Sequence, residues 1–531
     1  MLVNTSRLVL KDGATISTST LAEGSAGSLT INATDSVEIS GIGRTEEGEL
    51  RSEIVSDAPV LPEVFRQAIG VPDRPSGNAG SLTINTPGLT VSDGGRVGVG
   101  NQGTSIAGNL QIEANRIEVT NEGQLTTATA SGGGGNIELQ VADVLLLSDR
   151  GLISTEVGET GSQSQVVSAD SGNIAINSNL IQLNNESEIT VRNNGTGNAG
   201  NLTIQAARLE LTDEGKLTAT TALGQGGDID LTVADVLLVQ REGLISAGVE
   251  GENISGNAGR IAIRGNLVQL LNGGEITVRN EGTGNAGDLQ LQAARLELRD
   301  GGRLTAETAS GEGGNIQLNL SDVLLLRNGG LISTEAGGTG NGGDISIDAS
   351  FIFAVAGENS DIIANAFEGN GGNIDLIANG LIGIEFRDDL TSLSDITTNS
   401  QFGVSGTVRI NNANVNPVDA DLELEAEVVD PNEEVVRGCQ NFSQSRLVET
   451  GRGGIPEHPR DRRSGFSTWH DVRDLSPYLG RTAQDPTRVE PLSLVEANAA
   501  RQLPDGSMEL YYAGPPTPSR LPQLTQSNCP S

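Results

Sequence analysis

Hydrophobic and polar positions repeat along most of this chain with the length of one coil. Gly, a small or polar residue, then apolar-x-apolar recurs thirteen times, from Gly27-Ser28-Leu29-Thr30-Ile31 to Gly406. Most successive glycines are 27 to 29 residues apart, as at Gly80, Gly108 and Gly135, or Gly172, Gly200 and Gly227. Such a period marks a solenoid. Counting from the residue after each Gly, apolar residues fall at +1, +3, +8, +10 and +16 in the coils starting at Asn109, Asn136, Asn173, Asn201, Asp228, Arg260, Asp288 and Asn315. For Asn201 these are Leu202, Ile204, Leu209, Leu211 and Leu217. For Asn315 they are Ile316, Leu318, Val323, Leu325 and Leu331. The +1/+3 and +8/+10 pairs alternate with period two, so each is a short half-buried strand. The third segment, such as Gly215-Lys216-Leu217-Thr218-Ala219-Thr220, reads as another strand. Turns join them, with Gly expected where positive φ is needed.

Three strands per unit without a helical segment predict an all-β fold: a right-handed single-stranded parallel β-helix of about 13 coils over residues 1–415. One coil holds too few apolar side chains to order itself, so stability comes from stacking into a single cooperative rod, about 60 Å long at ~4.8 Å per coil. A longer period overlies the coil. Arg116, Arg208 and Arg295 all sit at +7, with Asp143, Asp235 and Asp322 at +7 of the next coil and Leu180 and Leu267 at +7 of the one after. The sequence therefore duplicates in blocks of three coils.

Length variation is read between the third strand and the next Gly, with the longest insertions at 51–76 and 155–170. Loops leaving one corner of a solenoid often form its binding face. The first insertion holds Pro59, Pro62, Pro72 and Pro75 around Val64-Phe65-Arg66-Gln67-Ala68-Ile69, which predicts a short helix. Val64, Phe65 and Ile69 either cover the rod flank or touch a partner.

The coil pattern stops at Asn416. Thirteen of the 18 prolines, both Cys, both His, the only Trp and all three Tyr follow it, whereas no Pro lies between Pro87 and Pro417, as stacked strands require. Residues 416–434 read as an acidic linker, 435–480 as a small folded unit and 481–531 as a Pro-rich, largely disordered tail.

Composition narrows the function. Lys+Arg is 33 against Asp+Glu 69, a formal net charge of −36, which argues against a nucleic-acid partner. Only 12 aromatics (Phe 8, Tyr 3, Trp 1) are available for stacking on bases or sugar rings. No run of 18 apolar residues could span a membrane as a helix.

β-Helices also carry polysaccharide lyases and hydrolases, and glycoside hydrolysis needs two carboxylates about 5–9.5 Å apart. Asp143, Asp235 and Asp322 are three coils apart, roughly 14 Å, and cannot act together. Each is expected about one coil rise from an arginine instead, as the ion pairs Arg116–Asp143, Arg208–Asp235 and Arg295–Asp322 on a solvated face, worth about 0–1 kcal/mol each. The Asn/Asp column that opens the coils (Asn109, Asn136, Asn173, Asn201, Asp228) reads as a side-chain ladder, because the short Gly-Gly-x-Gly-x-Asp unit of calcium β-rolls is absent. Gly451-Arg452-Gly453-Gly454 lacks the Lys-Ser/Thr of a phosphate loop, and His458 and His470 are too few for a metal site. Nothing points to a catalytic residue, a cofactor or a metal.

The Gly-Asn-Ala-Gly-(Asn/Asp)-Leu coils, with their Ala-Arg-Leu-Glu-Leu and Gly-Leu-Ile-Ser-Thr-Glu strands, resemble the filamentous-haemagglutinin-like exoproteins of two-partner secretion. The tail segments Gly438-Cys439, Leu447 to Pro456 and Trp469-His470-Asp471-Val472-Arg473 are similar to the C-terminal region of such proteins in photosynthetic bacteria. The resemblance implies a secreted or surface adhesin, extracellular or on the outer cell surface, without catalytic residues. It would be exported through an outer-membrane β-barrel transporter and would bind a surface ligand, carbohydrate or protein. In an exported chain Cys439 and Cys529 are expected to pair, closing a loop of 529 − 439 = 90 residues and contributing about 4 kcal/mol in the loop-entropy model. Two free thiols, or a link to the secretion partner, are the alternatives. The signal peptide and the Asn-Pro-Asn secretion domain of the relatives are not in this sequence. Arg7-Leu8-Val9-Leu10 matches Arg295-Leu296-Glu297-Leu298, which places Met1 inside a coil just before its second strand. The expectation is a C-terminal piece of a longer exoprotein, not exported as written and prone to end-to-end pairing at its bare edge.

Overall fold

The computed structural model describes residues 1–45, 48–158, 168–251, 255–412, 499–502 and 508–511. Residues 1–412 form a parallel β-solenoid of about thirteen turns, built on two parallel sheets of 14 strands each. Each turn gives one strand to each sheet, and sequential turns stack as neighbours. In the first sheet (sheet A) the two short strands expected per coil run together as one bent strand, such as Leu202–Leu211. The Thr-rich third segment, such as Lys216–Thr221, forms sheet B.

The bend in sheet A lies at +5 to +7, where alternation breaks and two successive residues are not buried, as Ala207 and Arg208 are not in Leu202–Leu211. The bend turns the +7 carbonyl away from the ladder. Where +5 carries a hydroxyl it donates to that carbonyl: Thr86 Oγ1 to Gly88 O at 3.1 Å and Ser178 Oγ to Leu180 O at 3.0 Å. Inside the turn, Leu202, Ile204, Leu209, Leu211 and Leu217 are all fully buried, as their register requires.

The register differs in the coils that carry the aspartates. In those starting at Asn136, Asp228 and Asn315 the ladder slips at the bend, so that Ala142 and Asp143 together face the single Asn115. The extra residue is a β-bulge. It moves the core positions to +9, +11 and +17: Leu324, Leu326 and Ile332 are buried, while Val323, Leu325 and Leu331 face outward and are half-buried. The run Val-Leu-Leu-Leu is apolar in both frames, so alternation alone cannot fix its phase.

The repeat glycines are also needed for a different reason than expected. Among the described residues, positive φ is adopted by sixteen non-glycine residues and ten glycines, and none of the repeat glycines from Gly108 to Gly406 is among them. The positive-φ residues concentrate in the turn between the sheets, where Asn and Asp tolerate it and Arg241 (φ 48°) and Glu242 (φ 61°) adopt it too. The repeat glycines sit where one coil crosses close over another. A Cβ on Gly227 would fall on the carbonyl oxygen of Gly200, and one on Gly287 on that of Gly259. A second glycine column three residues earlier, Gly224 over Gly197 and Gly284 over Gly256, obeys the same constraint.

Polar ladders tie the crossings together. The Oδ1 of each coil-opening Asn or Asp accepts the N–H of its successor: Asn201 N to Asn173 Oδ1 at 2.7 Å, Asp228 N to Asn201 Oδ1 at 3.0 Å, Arg260 N to Asp228 Oδ1 at 2.8 Å. A parallel ladder runs through Asn198, Gln225, Asn257 and Asn285. One coil in three buries an asparagine, Asn101, Asn193 or Asn280. Its Nδ2 donates to two carbonyls and its Oδ1 accepts a glycine N–H, which satisfies backbone that would otherwise be orphaned.

The insertions are more specific than the sequence suggested. Within 51–76, Glu53–Ala58 is a strand of sheet B, and the added material follows it as the helix Glu63–Ile69. That helix buries no residue, and Val64, Phe65 and Ile69 are 78%, 56% and 56% exposed, so it does not cover the rod flank with its apolar side chains. Length also varies at the other corner, where the hairpin Ile42–Thr45 with Gly48–Arg51 lies between the sheet A and sheet B strands. At the start of the chain Leu2 pairs with Thr30, so the chain enters at the beginning of a first strand rather than just before a second. Within 481–531, expected to lack structure, Ala499–Gln502 and Met508–Tyr511 pair antiparallel. The remaining expectations for 416–434, 435–480, Cys439 and Cys529 lie outside the described residues.

Candidate functional site

The bend in sheet A makes the outer surface re-entrant, and stacking the bend turn after turn extends it into an axial groove. The groove runs from Asn32 to Asn411, with its two halves meeting at Thr232 and Ala234 and enclosing 910 and 950 Å³. Three positions per coil line it. One wall is the +4 column, rich in amides: Asn85, Gln140, Asn177, Gln205, Gln292 and Asn319. The floor is the +5 column, mostly small: Ala114, Ser178, Ala206, Gly265, Ala293 and Ala349. The opposite rim is the +6 column, with Asn115, Asn179, Ala207, Ala234, Asn266 and Ala294. Only Glu113, Arg264 and Asp348 carry charge along the whole lining, in a chain with a net charge of −36. Adjacent coils repeat these groups about every 4.8 Å. An amide both donates and accepts, so the wall offers hydrogen bonds of either sense at those steps; Glu113, Thr232, Arg264, Asp348 and Ile377 interrupt the column.

The six arginines and aspartates singled out from the sequence flank this groove rather than form it. Arg295 does meet Asp322, at 3.2 Å. Arg116 and Arg208 instead pair along their own strands with Glu118, at 2.5 Å, and Glu210. The bulge offsets each aspartate from the arginine column, an offset that Arg295 spans and Arg116 and Arg208 do not. Arg116, Arg208 and Arg295 stand level with Val144, Val236 and Val323, and each aspartate belongs to the bulged residues one position earlier. Arg116 and Arg208 take the glutamate two residues along the same face instead.

Carboxylates do converge on the outer face of sheet B, where sequence reasoning did not place them. Glu307 and Glu335 lie on neighbouring coils and, with Asn365, Asn399 and Phe367, line a shallow hollow. Burial, and then the neighbouring Glu307 charge, hold the Glu335 carboxyl above its ordinary range. Burial also raises Glu53, Glu275 and Asp361. Asp395, beside Asp361, goes the other way. Its burial is outweighed by the N–H and hydroxyl of Thr391 and by the Arg387 guanidinium, which lower it. Glu307 and Glu335 occupy one column of one sheet, side by side rather than opposed across a gap where a bond could sit. The signal was the Glu at the end of consecutive third strands, Thr305-Ala306-Glu307 and Ser333-Thr334-Glu335.

These shifts predict a pH dependence of stability. A carboxyl raised in the folded state binds its proton more tightly there than in the unfolded chain. Its stabilisation is present at low pH and is lost as pH rises through the folded value. Asp395, Glu38 and Glu358, all lowered, stabilise above the ordinary carboxylate range and lose that contribution only as pH falls through their folded values. The melting temperature is therefore expected to be higher near about pH 5 than near about pH 8. Thermal scans by circular dichroism across that range check it, and a midpoint that climbs steadily to about pH 8 would contradict the assignment.

Among the described residues, no group of three or more His, Cys, Asp or Glu could hold a metal ion, and no helix is long and apolar enough to cross a membrane. No family model, curated protein or solved structure matches the chain.

Proposed function

We propose that this chain is the rod of a secreted or surface adhesin of the filamentous-haemagglutinin type, which holds an extended, uncharged polysaccharide along the axial groove and performs no chemistry on it. The observation that carries this reading is the mostly neutral groove, with amides at the +4 wall in most of its coils. The coil rise, about 4.8 Å, is close to the advance of one pyranose unit along an extended glycan, so one wall can present the same hydrogen-bonding group to successive sugars. A polyanionic ligand would be repelled by the charge of −36. On this reading the intact protein acts outside the cell, after export through an outer-membrane β-barrel transporter of two-partner secretion.

The test is an array of neutral and anionic polysaccharides probed with the full chain and with Ala207→Trp/Ala294→Trp, which fills the groove from its rim. Binding is expected on neutral extended glycans. The variant is expected to lose about tenfold in affinity, about 1.4 kcal/mol, at an unchanged melting temperature. Binding that the variant leaves intact would place recognition elsewhere. Shortening of the glycan would favour the hydrolase or lyase alternative, with Glu307 and Glu335 as the carboxylates to substitute.

A further inference from the structure

The outward face of sheet A changes character at the bend. Before the bend its outward residues are mainly polar, as Thr203 and Gln205 are. Beyond it, two adjacent columns run along the rod, one through Arg208, Val236 and Leu267 and the other through Glu210, Leu238 and Gln269. Side by side in successive coils they read Arg/Glu, Val/Leu, Leu/Gln. The two columns are continuous over nine coils: the three-coil block recurs in full from Arg116, and from Arg295 its first two coils recur while Phe351 and Phe353 take the third. The bulge creates this face, because it turns Val236 and Leu238 outward while Leu237 and Val239 fill the core. Both are half-buried among their neighbours, and within residues 1–412 no described segment lies over them. A repeated apolar stripe on a solvated sheet face marks an interaction surface.

We propose that two copies of this chain associate side by side through this face, parallel and in register. A twofold axis parallel to the rod exchanges the two columns across the interface. Arg208 of one copy then meets Glu210 of the other, Val236 meets Leu238 and Leu267 meets Gln269; the same holds in the block from Arg116, and in the block from Arg295 the third coil sets Phe351 against Phe353. Sliding one copy by a coil sets Val236 against a charge. Reversing one copy opposes Arg with Arg or with Leu. Only the parallel, unshifted pairing matches all coils, so the three-coil block acts as a register code. The face also carries equal numbers of Arg and Glu at these positions within a strongly acidic chain, which makes it a place where two copies can approach. A five-residue strand segment over nine coils offers about 700 Å² per copy, near the ~800 Å² of a standard interface.

Analytical ultracentrifugation of the full chain tests this. Wild type is expected to sediment as a dimer. Arg208→Glu opposes Glu with Glu and is expected to weaken the dimer by about tenfold, and Arg208→Glu/Glu210→Arg to restore it, because the columns still exchange. Thermal scans show that each variant is folded. In a Cys439→Ser/Cys529→Ser background, copies carrying Val236→Cys and Leu238→Cys are expected to cross-link with each other, while Val236→Cys with Leu146→Cys, three coils out of register, are not. A monomer at every concentration, a double variant no better than the single one, or efficient cross-linking out of register would each overturn the proposal.

Discussion

Leu211→Asp is expected to unfold the solenoid as a unit. Leu211 is fully buried at the second inward position of the bent strand, between Leu183 one coil back and Val239 one coil on. The substitution removes a large apolar side chain and places a carboxylate where no cation or donor reaches it, a cost of about 4 kcal/mol or more. A single coil cannot stand alone, so the loss is felt by the whole stack. A single calorimetric transition should move down by many degrees. An unchanged transition would mean that this register is wrong. Leu238→Asp, in the next coil but outward-facing because of the bulge, should move the transition far less. The contrast matters because unbroken +8/+10 counting would also put Leu238 inside.

Gly227→Ala is expected to be strongly destabilising for a change of a single methyl. The residue has no positive φ to accommodate, so the usual left-handed argument does not apply. The added Cβ would fall on the Gly200 carbonyl, which is backbone and cannot rotate away. Relief requires the two coils to separate, which also loosens the Asp228 N–H to Asn201 Oδ1 ladder beside them. A loss of about 3 kcal/mol or more is expected by chemical denaturation. Gly88→Ala supplies the control. Its Cβ would meet nothing within 4 Å, and alanine restricts the unfolded chain, so a neutral or slightly stabilising effect of up to about 1 kcal/mol is expected. Equal losses in the two variants would refute close coil crossing as the role of the repeat glycines.

Much of the fold is legible in the sequence because stacked coils repeat the same apolar positions. Leu202, Ile204, Leu209, Leu211 and Leu217 are inside as their spacing demands. What the spacing leaves open has physical reasons. The Val-Leu-Leu-Leu runs are apolar in both phases, so the one-residue bulge at Asp143, Asp235 and Asp322 leaves no trace in the alternation. The bulge also sets those aspartates one position off the arginine column, and Arg116 and Arg208 pair with the glutamates on their own strands while Arg295 still reaches Asp322. The groove is harder to foresee. Its Gln205 and Ala207 are ordinary residues for a solvated strand, and only the bend between them makes the surface concave. The repeat glycines are obvious in the sequence, yet their role depends on the distance between coils, which a single strand pattern does not encode.

The most direct test of the function is calorimetric titration of the full chain with neutral extended oligosaccharides of increasing length. If the axial groove is the recognition surface, affinity should rise with each added sugar over several coils, fall when Ala207 and Ala294 are replaced by Trp, and leave the oligosaccharide at its original length. No binding heat at any length, or an affinity that stops rising at one or two sugars, would contradict the account.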